Sequence, residues 1–163
     1  MKTELTSQYK AALKMLEGTI EKCPDTLWND GSYTNIFWQI VYHTLHYTNL
    51  YVAKDEESFI PWPKYVGNWH RFEAINGNPK RGTMGFDYSK ADLLDYTSLI
   101  SEHLEDRISE RDFYKQTGFE WVNMNTLELH LYNLRHLQHH TGQLIERLQQ
   151  HHINGLVWIN DGG

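Results

Sequence analysis

Between residues 125 and 151 apolar side chains return every three or four positions, and His136 and His140 stand four apart within that pattern. The period belongs to an α-helix, since a strand would alternate every second residue. A helix with one apolar stripe needs other helices or a sheet to cover it. In such a helix His136 and His140 lie one turn apart on the same side, close enough for both imidazoles to hold one metal ion. With His136 at zero on a wheel of about 100° per residue, Leu137, Leu144, Leu148, Leu134, Ile145 and Leu127 cover an arc from roughly 80° to 180°, and His140 falls at about 40°. The pair therefore sits on the shoulder of the stripe, which suits a site that keeps a coordination position open to water or substrate.

The rest of the chain supplies three more helical patterns and little strand signal. Residues 5–22 carry Leu5, Tyr9, Ala12, Leu13, Leu16 and Ile20 at helical spacing, and Pro24 ends that run. An Asn29-Asp30-Gly31 turn leads to a second helix over about residues 36–53, with Asn35 as the expected cap. On its wheel His43 lies among Ile36, Ile40, Tyr47 and Leu50 and is expected to point inward; His46 falls beside Gln39 and Tyr42 at the polar margin and is the weaker ligand candidate. A third helix begins at Ser89, with Asp92 in its first turn and Leu93, Thr97, Ile100, Leu104 and Ile108 on one face. Asn125 and Glu128 form the expected capping box of the fourth, which stops near Asn154-Gly155.

Two connections are unusual. Residues 54–88 are too long for an ordinary turn and are rich in aromatics broken by Pro61, Pro63, Gly67, Gly77, Pro79, Gly82 and Gly85. Two compatible readings are a crossover that packs its aromatics over one end of a bundle, with a short helix around 69–75, and a lid over a pocket. Residues 111–124 read as a loop with a short extended piece at 119–122, and the apolar tail within residues 155–163, Leu156 to Ile159, is expected to dock on the helices or on a second subunit. Four amphipathic helices with one long connection between the second and third give an all-α, four-helix bundle with a crossover as the most economical fold, in one domain spanning 1–163.

Composition narrows the function classes. The 163 residues carry a net charge of −6, and with a pI near 5.9 they show no basic stripe of the kind a nucleic-acid surface needs. Mean hydropathy is −0.63, and no apolar run approaches the roughly 18 residues of a membrane span. The first ten residues have no secretory pattern, so a cytoplasmic setting is expected. Cys23 is the sole cysteine, so a metal site must rest on nitrogen and oxygen donors. As a nucleophile Cys23 is a poor candidate, since it stands at a helix end with no histidine near in sequence.

The remaining histidines divide by context. His139 turns away from the Leu stripe towards solvent or a supporting contact, His103 is expected at the surface, and His151 and His152 face the negative end of their helix dipole. His70 and His130 have no discriminating context. Gly142 inside the last helix costs about 1 kcal/mol relative to Ala, which suggests a close backbone neighbour or room beside the site. The residues alone leave metal binding and a solvated histidine pair both open.

His136-x-x-x-His140-x-Gly142-Gln143 in the last helix, with His43 eight residues after Asn35, resembles the DinB/YfiT-like superfamily of bacterial four-helix-bundle proteins. The resemblance implies that His43, His136 and His140 bind a divalent metal ion, nickel or zinc, with water completing the shell. It also implies an up-down-down-up bundle and frequent homodimers. Members often carry Arg after the last histidine, where Thr141 stands here. Known activities in the superfamily include transferases and isomerases that use low-molecular-weight thiols such as bacillithiol and mycothiol. The expected function is thus a metal-dependent enzyme, a thiol S-transferase or a hydrolase, acting on a small-molecule substrate, with Gln143 or Tyr47 orienting a substrate or water. The alternative is a non-catalytic metal- or ligand-binding, stress-related bundle protein. DNA association is a third reading, suggested only by the superfamily's name, and the acidic charge opposes it.

Overall fold

The computed structural model describes residues 1–72 and 87–163. Among them are five α-helices and no strand: α1 (Lys2–Lys22), α2 (Asp25–Trp28), α3 (Phe37–Val52), α4 (Lys90–Ser109) and α5 (Thr126–Gln150). The all-helical class follows the periodicity of the sequence, and α2 is a single turn that the apolar pattern is too short to reveal. Helix α1 packs on α4 and α5, and α3 packs on the same two, so the four long helices close around one core. Leu5, Tyr9, Leu13, Leu16 and Ile20 of α1 meet Leu93, Ile100, Leu104 and Ile108 of α4 and Leu137, Leu144 and Leu148 of α5 in that core. No helix among the described residues is long and apolar enough to cross a membrane.

The helix ends show which local signals decide them. Ser89 Oγ accepts from Asp92 N at 3.1 Å and Asp92 Oδ2 accepts from Ser89 N at 3.1 Å, a complete capping box. At α5, Asn125 Oδ1 accepts from Glu128 N at 2.9 Å, so the Asn half of the expected box forms. The expected Asn35 cap of α3 does not. Ile36 is the N-cap, with no side-chain cap bond, and the Asn35 carbonyl instead accepts from Arg147 Nη1 at 3.0 Å.

Helix α3 also departs from its wheel. Burial runs nearly all round it, from Trp38 and Tyr42 to Leu45, His46 and Asn49, and the half-exposed strip is Gln39, His43 and Tyr47. His46 is buried at 5% exposure and His43 is not, the reverse of the expected order. The cause is the connector after α3, which lays Phe59, Tyr65 and His70 over the face that hydropathy marks as polar. His70 stacks on His46 at 3.8 Å between ring centroids, and Trp62 stacks on Tyr96 of α4 at 4.6 Å. The connector's aromatics thus pack on α3 and α4. Within the stretch where a short helix was expected, residues 69–72 form turn and coil, and residues 73–75 lie outside the described residues, as do Gly77, Pro79, Gly82, Gly85 and Phe86.

The loop between α4 and α5 is tied by single bridges at Asp55↔Gly118 and Gln116↔Asn125, while residues 119–122, expected to be extended, form a turn closed by Val122 N donating to Phe119 O at 3.0 Å. The tail docks on its own chain. Leu156 packs beside Gly18, Asn160 O accepts from Gln8 Nε2 at 3.2 Å, and Gly162 N donates to Ser7 Oγ at 3.1 Å, so the tail runs back along α1.

Candidate metal centre

His43 comes from the open strip of α3, and His136 and His140 come from successive turns of α5. Helix α3 packs against α5, which brings the three rings together. One nitrogen from each lies within 4.8 Å of the other two, and among the described residues these are the three side chains that form such a cluster. His43 Nε2 and His136 Nε2 stand 2.9 Å apart. His136 and His43 are half-buried, and His140 is buried.

Hydrogen bonding orients two of the rings. His43 Nδ1 lies 2.5 Å from the His70 carbonyl oxygen, and a carbonyl can only accept, so the Nδ1 proton is fixed and Nε2 keeps its lone pair. His140 Nδ1 lies 3.1 Å from Gln143 Oε1, which likewise accepts and leaves His140 Nε2 as a free donor of electrons. A metal-ligating histidine ordinarily has its second nitrogen held by a carbonyl in this way. Gln143 thus supports a candidate ligand, where the sequence suggested a contact with substrate. His136 Nδ1 is buried with no hydrogen-bond partner among the described residues.

Burial sets the charge state. It pushes His43 down to about 3 and His136 down to about 4, and it lowers His140 as well, with the neighbouring imidazoles acting in the same direction. Three neutral imidazoles within reach of one another repel a proton and suit a cation that binds lone pairs. The donor set therefore fits a divalent metal ion of the zinc or nickel kind. Two nitrogens each about 2.1 Å from a tetrahedral ion stand about 3.4 Å apart, so ligand atoms up to 4.8 Å apart must close by up to about 1.4 Å when an ion binds.

Aromatic rings wall the cluster. Phe72 stacks on His43 at 3.9 Å and meets His140 edge-on at 5.4 Å. Tyr47 meets His43 at 4.9 Å and His136 at 5.6 Å. On the outer side a cavity of about 210 Å³ is lined by Tyr132, Arg135, His136 and His139. Arg135 lies over the Tyr132 ring at 5.4 Å. His139 is exposed and packs edge-on against His140 at 4.9 Å.

The sequence under-read two histidines. His130 is buried at 1% exposure beside Tyr9 Oη, which donates to its backbone carbonyl at 3.1 Å. His70 is buried against His46 and supplies the carbonyl that orients His43. A backbone carbonyl has no sequence signature, so this contact had no signal to find. His103 is at the surface as expected, Cys23 is buried with its thiol pushed up to about 12, and an added Cβ at Gly142 would meet nothing within 4 Å. Room, and not a close backbone, surrounds Gly142. No family model matches this chain, and neither a curated protein nor a solved structure matches it.

Proposed function

We propose that this chain is a metal-dependent enzyme in which His43, His136 and His140 hold one divalent cation, nickel or zinc, and that the reaction is thiol S-transfer or hydrolysis. The observation that carries the reading is the pair of fixed Nδ1 protons: His70 O and Gln143 Oε1 turn the Nε2 lone pairs of His43 and His140 towards the cluster that includes His136. When bound, such an ion supplies Lewis acidity that lowers the pKa of a water or a small thiol brought to it. The protein's own part is positional. His70 and Gln143 hold the imidazoles, Phe72 and Tyr47 keep bulk water from their faces, and the cavity at Tyr132 and Arg135 admits a small molecule from the outer side.

The reading extends the resemblance to the DinB/YfiT-like superfamily. It takes the four long helices as an up-down-down-up bundle with the connector after α3 as the crossover, which the pairing of α1 and α3 with both α4 and α5 supports. It also takes the chain as a homodimer in the cytoplasm; the exposure of Val157 and Trp158 supports self-association, which sedimentation velocity tests. A second reading, a non-catalytic metal- or ligand-binding protein, is favoured by one observation: Phe72 covers His43 and His140 on one side and narrows the approach.

Turnover separates the two. Protein loaded with zinc or nickel is incubated with a low-molecular-weight thiol and an alkylating electrophile, and with a panel of ester and amide substrates. The enzyme reading expects turnover that depends on added metal and disappears in His136→Ala. Metal binding without turnover on either panel supports the binding protein instead.

A further inference from the structure

A second concavity lies at the other end of α3. It has a volume of about 590 Å³, within the roughly 300–1,000 Å³ of ordinary ligand pockets. Val52 on its wall is nine residues beyond His43, about 13 Å along the helix, so this cleft is separate from the histidine cluster. Lys54, Arg107, Arg111 and Lys115 line it, against two carboxylates, Glu110 and Asp112. In a chain of net charge −6 this local excess of cations runs against the overall balance.

The cleft is built on a rigid floor. Gly118 is pressed against the end of α3 so closely that a Cβ there would stand 2.5 Å from Asp55 Cβ and 2.9 Å from Lys54 O. Lys115 O accepts from Thr126 N at 2.8 Å and from Thr126 Oγ1 at 3.2 Å, which fixes the loop to the start of α5. The two arginines differ in what holds them. Arg107 lies in the last turn of α4, where a cation offsets the helix dipole, and its Nη1 donates to Asn49 Oδ1 at 2.6 Å. Structure accounts for it. Arg111 lies beyond the helix end and is half-buried; Asp55 is near enough to act on it electrostatically, but no carboxylate stands at ion-pair distance and, among the described residues, its guanidinium has no hydrogen bond, whereas Lys115 Nζ already lies 3.8 Å from Asp112 Oδ2. Burial lowers its pKa from the usual guanidinium value. No Arg111 nitrogen is both buried and unpartnered, so its donors face the cleft's solvent with no protein acceptor and are available to an anion that enters.

We propose that this cleft binds a phosphate monoester of a small metabolite, its phosphoryl group held by Arg111 with Lys54 and Lys115, and its organic body lying towards Val52 and Ala53. A planar guanidinium matches phosphoryl oxygens bidentately, and lysines add point charge. The apolar wall at Val52 and Ala53 favours an ester over the bare ion.

Calorimetric titration with glycerol phosphate and, separately, inorganic phosphate at about 0.15 M ionic strength tests this. The expected result is saturable one-to-one binding of glycerol phosphate, at least threefold tighter than inorganic phosphate. Arg111→Gln weakens it at least tenfold, and His136→Ala/His140→Ala leaves it unchanged. Lys54→Gln/Lys115→Gln, at two exposed positions, gives the same loss should Arg111→Gln fail to fold. No saturable binding overturns the proposal, as does binding lost in the histidine variant and kept in the cleft variants. Equal affinity for both probes overturns the assignment to an ester.

Discussion

Gln143→Ala separates a purposeful histidine cluster from a chance one. Gln143 is exposed, and its one described side-chain contact is the 3.1 Å hydrogen bond from His140 Nδ1 to Oε1. Removing it exposes no core atom, so folding stability is expected to change by less than about 0.5 kcal/mol. What it removes is the group that fixes the His140 tautomer and ring angle. Contacts of this kind are worth about 10–100-fold in metal affinity. Because this one is at the surface and water can replace the amide oxygen, the lower end applies: about tenfold, or about 1.4 kcal/mol. The assay is zinc titration against a chelating dye of known affinity, with Gln149→Ala, also exposed on α5, as the control. The expected outcome is a dissociation constant raised about tenfold in Gln143→Ala and unmoved in the control. Equal affinity in all three proteins would refute the claim that Gln143 prepares His140 as a ligand.

Other perturbations have signs set by the same structure. Burial lowers His46 to about 3 and His130 to about 4 in the folded chain, so between those values and about 6.5 the unfolded chain binds more protons and stability falls as pH falls. At pH 5 each contributes a loss of about 2 kcal/mol relative to neutral pH, read from denaturant midpoints of metal-free protein; a flat profile from pH 7 to 5 contradicts this. Gly142→Ala adds a methyl to open space on a helix and is expected to stabilise by about 1 kcal/mol, raising Tm by about 2–4 °C with metal affinity unchanged. Gly118→Ala drives a Cβ into Asp55 and the Lys54 carbonyl and is expected to cost about 2–3 kcal/mol, seen as a lower urea midpoint. A neutral result there means the loop is not pressed on α3 as described.

The helices were legible because their apolar residues repeat at 3.6 and because Ser89 and Asn125 announce helix starts. The pairing of His136 with His140 was legible for the same geometric reason. What the wheel could not see is which faces a loop covers. On α5 the buried arc is centred about 50° nearer the histidines than the Leu stripe alone implies, because Leu129, Asn133, His140 and Arg147 are buried while Leu127, Leu134 and Ile145 are only half-buried. On α3 the connector buries His46 and leaves His43 on the open strip, so His43 reaches the cluster from the half-exposed side and not from the inward face that the wheel implies. The supports of the cluster divide likewise. Gln143 is three residues from His140 and within a helix's local reach. His70 O is a backbone atom brought from a connector 27 residues away, and only tertiary structure places it.

Metal content decides whether the three histidines form a metal site. Untagged protein purified without chelator, and again after incubation with nickel or zinc and removal of excess, is assayed by elemental analysis beside His43→Ala and His136→Ala/His140→Ala. The expected result is about one divalent ion per chain in the wild type, lost in both variants while far-UV circular dichroism stays helical. Less than about a tenth of an ion per chain after loading, or equal metal in the wild type and the variants, would contradict it.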